Sequence, residues 1–134
     1  MGQSESKKPE DSFSVNSRVI RQEIAQHPVV LYTKDNCGYC VQAKNDLYEA
    51  GIKYTEKNLD TIAAVQEDKT VVKEYLQSLI DLTRQKTVPQ IFVCGKFIGG
   101  YSELKALNPK LMSLLEQCST DNGETLTREI AAKL

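Results

Sequence analysis

The chain has 134 residues, carries 17 Lys and Arg against 18 Asp and Glu, and is 40% hydrophobic and 26% charged. That length fits one domain with a core that needs no metal or disulfide support. A net charge of −1 supplies no broad basic field for nucleic acid, and 7 Gly and 4 Pro exclude a collagen-like or wholly disordered chain.

Residues 1 to about 13 hold almost nothing apolar and read as a flexible tail. Val15, Val19, Ile20 and Ile24 then share one face of a helix of about three turns, closed by Pro28. Val29 to Thr33 is an unbroken apolar, β-branched run, as expected of a strand covered on both faces. Cys40, Ala43, Leu47 and Ala50 recur at spacings of three and four and predict a second helix capped by Gly51, with Cys37 at its N-terminal end. Ile52 to Leu59 reads as a weakly alternating strand, followed by a polar stretch and a helical face of Val72, Tyr75, Leu76, Leu79 and Leu82. Val88 to Val93 predicts a strand entered through Pro89, and Cys94-Gly95-Lys96 a tight turn into Phe97-Ile98. Leu104, Leu107, Leu111, Leu114 and Leu115 give a closing helix to about Cys118. Leu126, Ile130 and Leu134 suggest one more short amphipathic helix. The expected organisation is therefore a tail over 1–13, one α/β domain over 14–118 and an extension over 119–134.

The absence of an apolar run of about 18 residues and of a secretory leader predicts a cytoplasmic protein. Its four cysteines, Cys37, Cys40, Cys94 and Cys118, would then lie in reducing surroundings, where structural disulfides are rare. Cys37-Gly38-Tyr39-Cys40 follows a buried strand and opens a helix, which is the context of a redox pair. Unpaired N–H groups and the helix dipole stabilise a thiolate there, with Lys34 as a nearby cation. Cys37 is thus the expected nucleophile and Cys40 the resolving thiol. Zinc would need further Cys or His ligands at suitable spacing, and Cys94, Cys118 and the single His27 do not provide it. Cys94 and Cys118 each fall at an element end without a partner thiol or cation beside them, and read as structural or incidental.

Lys34-Asp35-Asn36-Cys37-Gly38-Tyr39-Cys40, then Thr87-Val88-Pro89, then Gly99-Gly100-Tyr101-Ser102-Glu103-Leu104, resemble the glutaredoxins in order and separation, over about residues 17 to 117. The resemblance implies a thioredoxin-like fold, a four-stranded mixed sheet flanked by helices, with Pro89 in cis. It implies a glutathione-dependent thiol–disulfide oxidoreductase that acts on protein disulfides and on protein–glutathione mixed disulfides, with glutathione as co-substrate. Carried over, Lys34 would meet the glycine carboxylate of glutathione, Tyr39 would wall the groove, and Thr87, Val88 and Pro89 would hold the cysteinyl part. The N–H groups of Tyr101 and Ser102 would take the γ-glutamyl carboxylate, with Glu103 near the amine.

The sequence departs from the family pattern at Gly38, where proline is common, at Glu103, where aspartate is usual, and at Arg84, where glycine is common. Leu76 falls where some members have a glutathione-contacting glutamine, and Arg84 or Gln85 could take over the glycine carboxylate. Gly38 motivates an alternative, a dimer that holds a [2Fe–2S] cluster through Cys37 and bound glutathione of each chain; the enzyme form would be a metal-free monomer. Met1-Gly2-Gln3-Ser4-Glu5-Ser6 fits the N-myristoylation pattern and, with Lys7-Lys8, predicts partial, salt-sensitive membrane association through Gly2. A plain polar tail is the alternative.

Overall fold

The computed structural model describes residues 9–119, with side chains from Ser17 to Cys118; Gly2 and residues 120–134 lie outside the described residues. The elements are α1 (Pro9–Ala25), β1 (Val29–Thr33), α2 (Gly38–Glu49), β2 (Thr55–Asn58), α3 (Leu59–Val65), α4 (Lys69–Thr83), β3 (Gln90–Val93), β4 (Lys96–Gly99) and α5 (Tyr101–Ser119). Strands run in the order β2-β1-β3-β4, with β1–β2 parallel and both β1–β3 and β3–β4 antiparallel. This is the four-stranded mixed sheet of a thioredoxin-like fold.

Strand β1 is buried along its whole length, and its alternation divides the interior. Val29 and Leu31 face one side, where Ala43 and Leu47 of α2 and Leu104 and Leu111 of α5 pack with Ile91 and Val93. Val30 and Tyr32 face the other, against Ile20 and Ile24 of α1, Tyr75 and Leu79 of α4, and Phe92. A strand covered by helices on both faces can be apolar at every position, which explains the unbroken run. Each such side chain contributes about 1.5–3 kcal/mol on burial.

One polar contact joins three elements on the α1–α4 side. Glu23 Oε1 accepts hydrogen bonds from the Tyr32 hydroxyl at 2.6 Å and the Tyr75 hydroxyl at 2.7 Å, so α1 is tied to β1 and α4. Burial first, and then the crowding of phenol and carboxylate, hold both tyrosines protonated far above the ordinary range.

The structure corrects several expectations. Helix α1 begins at Pro9, inside the expected tail, and Val19 lies 40% exposed rather than on the buried face with Ile20 and Ile24. Strand β2 is shorter than Ile52 to Leu59, because Asn58 ends it by N-capping α3: its Oδ1 accepts the Thr61 N–H at 3.0 Å. Helix α3 was hidden within the expected strand end and polar stretch. Cys94 and Cys118 are not unpaired; they form a disulfide across 24 residues, with Cα atoms 5.3 Å apart. The pairing arises because α5 runs back along the sheet and brings its last turn to the β3–β4 turn, a tertiary relation that local pattern does not encode. Closing a loop of that length is worth about 3.5 kcal/mol in the chain-entropy account. Among the described residues no helix is long and apolar enough to cross a membrane.

Arg84 ends α4 in the left-handed region, at φ 62°, with its N–H bonded to the Ile80 carbonyl. This conformation suits glycine and costs a residue with a Cβ about 1 kcal/mol. Arg84→Gly should therefore raise stability by about 0.5–1 kcal/mol, seen as a higher urea midpoint at unchanged slope.

Candidate functional site

The site begins with the loop between β1 and α2. Asp35 donates its N–H to Asp60 Oδ2 at 2.7 Å, and Asn58 Nδ2 donates to Asp35 Oδ1 at 3.1 Å. Helix α3 thus holds the loop that carries Lys34, while Asn36 turns the chain at φ 56°. The next residue, Cys37, is the N-cap of α2 in extended conformation.

Cys37 and Cys40 form a disulfide with Cα atoms 5.2 Å apart. Cys37 Sγ accepts the Cys40 N–H at 3.1 Å, filling the place that a serine or aspartate oxygen takes in an ordinary cap. Cys37 is half-buried and Cys40 is 1% exposed, so an incoming sulfur reaches Cys37 first. Lys34, Cys37, Gly38 and Cys40 line one cleft together with Lys44 and Asn58. Lys44 is paired with Glu56 at 3.0 Å, whereas no ion pair forms at Lys34 among the described residues. Burial raises the Glu56 carboxyl pKa, but hydrogen bonds from Thr33 and Lys44 and the Lys44 charge outweigh it and leave the net direction downward. The cation left for an incoming anion beside Cys37 is Lys34.

A second cleft of about 270 Å³ adjoins Cys37 and is lined by Tyr39, Gln85, Thr87, Val88, Pro89, Gly100, Tyr101, Ser102 and Glu103. Cys37 Sγ lies 3.7 Å from the Val88 carbonyl oxygen, which joins the two clefts. The structure therefore collects Tyr39, Thr87, Val88, Pro89, Tyr101, Ser102 and Glu103 in one groove and puts Lys34 at the other side of the sulfur. The Val88–Pro89 bond is cis, as expected.

Tyr39 is 64% exposed and stacks on Tyr101 with ring centroids 6.0 Å apart and planes at 22°. Tyr101 in turn donates its hydroxyl to Asp46 Oδ2 at 2.8 Å. That hydrogen bond, then burial and the carboxylate charge, raises the Tyr101 pKa. The two rings form a wall anchored on both α2 and α5. Leu76, at the position of a family glutamine, is half-buried against the α1–α4 core and lines neither cleft.

Two glutamines shape the groove floor. Gln85 Nε2 donates to the carbonyls of Thr87 at 2.9 Å and Pro89 at 3.2 Å, so its amide is engaged with the backbone rather than reaching outward. Buried Gln90 donates to the carbonyls of Gln85 and Thr87. The sequence reading did not single out Gln90. Its signal was an amide directly after Pro89 in a strand otherwise apolar.

At the start of α5, Gly99 has φ 119°, and a Cβ there would meet the Glu103 side chain at 2.7 Å. A Cβ at Gly100 would lie 3.3 Å from the Pro89 carbonyl oxygen. The glycine pair lets the chain pass this close to the Pro89 loop. Glu103 Oε1 accepts the Gly100 N–H at 2.8 Å, the reciprocal half of a capping box. The carboxylate is thus first a helix cap, which the expectation for Glu103 did not include.

A disulfide capping a helix, beside a peptide-sized groove in a thioredoxin-like fold, defines a thiol–disulfide oxidoreductase. The glutaredoxin family model matches residues 29–98. Mitochondrial glutaredoxin-2 of Bos taurus is 30% identical over 126 residues, which cover 92% of this chain and 76% of the relative. Chloroplastic glutaredoxin-C5 of Arabidopsis thaliana is 33% identical over 79% of this chain and 59% of its own length, so the chain spans less than two thirds of some relatives. A solved buckwheat glutaredoxin–glutathione complex superposes with a TM-score of 0.68 at 27% identity, covering 83% of this chain and 96% of that one. Wheat glutaredoxin gives 0.65 at 34% identity over 76% and 92% of the two chains. The chain belongs to the glutaredoxin family and is a dithiol member of this class of glutathione-dependent disulfide reductases.

Glu103→Ala should cost about 1 kcal/mol of stability by removing the acceptor at Gly100, while Glu103→Gln retains most of it. Chemical denaturation of the two variants measures the difference.

Proposed function

We propose that the groove takes glutathione and that Cys37 reduces both protein–glutathione mixed disulfides and protein disulfides. The observation that carries this reading is the Cys37 sulfur on the Cys40 N–H, between the Lys34 cleft and the Val88 groove. In the reduced protein that N–H and the α2 N-terminus favour the thiolate, which is the attacking species.

For a glutathionylated substrate, the Cys37 thiolate attacks the glutathione-side sulfur and expels the substrate's thiolate, which takes a proton. Attack on the protein-side sulfur would instead join Cys37 to the substrate. A second glutathione thiolate then attacks the glutathione sulfur on Cys37, and glutathione disulfide leaves as the Cys37 thiolate returns. For a protein disulfide, Cys37 forms a mixed disulfide with the substrate and Cys40 displaces it, giving the pair seen here. Two glutathiones reduce that pair.

In the groove, Lys34 faces the glycine carboxylate and the backbone of Val88 pairs with the cysteinyl unit. The γ-glutamyl carboxylate meets the N–H groups of Tyr101 and Ser102, which lie in the first turn of α5 and lack intrahelical partners. The stacked Tyr39–Tyr101 wall encloses it.

Gly38 supports a second reading, the [2Fe–2S] dimer. A Cβ at Gly38 would meet nothing within 4 Å, so packing does not call for glycine in this loop. Anaerobic purification with glutathione tests it: a coloured dimer supports the cluster form, and a colourless monomer overturns it.

Cys40→Ser should keep much of the activity on a glutathionylated peptide and lose most protein-disulfide reduction, whereas Cys37→Ser should abolish both. A near-normal rate for Cys37→Ser in the glutathione-coupled assay would refute the assignment. Lys34→Glu should raise the KM for glutathione by about tenfold, by setting like charge against the glycine carboxylate; unchanged kinetics would remove Lys34 from the groove.

A further inference from the structure

The second disulfide lies outside the chemistry described so far. Cys94 and Gly95 are the two residues between β3 and β4, with φ 58° and 78°. Positive φ at both positions is what a two-residue type I′ hairpin turn requires, and asparagine, aspartate or glycine meets that demand at least cost. A cysteine gains nothing there as a turn former and is strained by its Cβ. Its presence is accounted for by its sulfur, bonded to Cys118 in the last turn of α5.

The two sulfurs differ in access. Cys118 is 4% exposed, whereas Cys94 is half-buried. Both line a groove of about 310 Å³ whose other walls are Val93, Ile98, Leu107, Leu114 and Gln117, with Lys96 as the charged side chain among the lining residues. A small thiol entering this groove meets Cys94 before Cys118, and an anionic thiol meets a cation on the way.

We propose that Cys94–Cys118 is a second thiol–disulfide exchange site of this chain, opened by an anionic low-molecular-weight thiol of the glutathione class that attacks Cys94. The incoming thiolate bonds to Cys94 Sγ, the Cys94–Cys118 bond breaks, and its electron pair leaves on Cys118 Sγ, which takes a proton. A second thiolate attacks the small-thiol sulfur of the mixed disulfide, releasing Cys94 as a thiolate that is protonated. The protein disulfide is reduced to two thiols while two small thiols are oxidised to one disulfide. Opening frees the far end of α5, whose first turn walls the Cys37 groove, from the β3–β4 hairpin. The exchange uses glutathione as a thiol in solution and needs neither Cys37 nor its groove, so it stands or falls separately from the reading above.

The test uses the full chain with Cys37→Ser and Cys40→Ser, leaving one disulfide. Native protein is treated with glutathione, quenched with acid, alkylated and mapped by mass spectrometry. The expected result is reduction whose rate rises in proportion to glutathione concentration, with the trapped mixed disulfide on Cys94. A rate independent of glutathione concentration, which signals reduction only after unfolding, or a mixed disulfide on Cys118, overturns the proposal. Lys96→Glu should slow reduction by glutathione about threefold or more while changing the rate with cysteamine, whose reactive thiolate form carries no net charge, less than twofold. Equal slowing with both thiols would refute steering by Lys96.

Discussion

Cys37 replaces an oxygen with sulfur at the N-cap of α2, and the Cys40 N–H at 3.1 Å is the contact on which the site depends. A capping side chain accepts from the backbone in any helix. When that side chain is a cysteine, the same donor and the same helix end also favour its thiolate. The cap therefore serves folding and reactivity with one hydrogen bond. In the proposed cycle Cys40, a turn further on and buried, resolves the mixed disulfide and needs no such help.

Much of the fold serves to hold that sulfur against the groove. Strand β1 is clamped from both faces, so its C-terminal end is fixed, and α3 ties the next loop through Asp60 and Asn58. From the other side, Gln85 and Gln90 hold the carbonyls around Pro89, and Gly99 and Gly100 let α5 begin in contact with that loop. Three segments far apart in sequence thus converge on one sulfur, held by side chains of Asp60, Asn58, Gln85 and Gln90 that bond to the loops around it.

The elements legible in advance were those with local signals. The apolar run of β1, the three-and-four spacing of α2 and the turn residues around Gly95 each depend on neighbours within a few positions, and the structure has them where the pattern put them. Lys34, Cys37 and the Thr87–Pro89 and Tyr101–Glu103 blocks were readable as a set and do gather at two joined clefts. Helix α3 escaped because it has seven residues and one buried side chain, Leu59, too few for a periodic signal. Val19 lies off the buried face that its spacing suggests, because three-turn periodicity does not resolve a boundary position. The pairing of Cys94 with Cys118 and the cap role of Glu103 depend on how α5 lies against the sheet, which no local window contains.

The central claim is that the α2 N-terminus makes Cys37 a thiolate at neutral pH. The most direct measurement is the rate of alkylation of Cys37 by iodoacetamide as a function of pH in the fully reduced protein, with the modified residue identified by mass spectrometry. The account predicts a midpoint well below the value of about 8.5 of an ordinary cysteine. A midpoint at or above that value would contradict it.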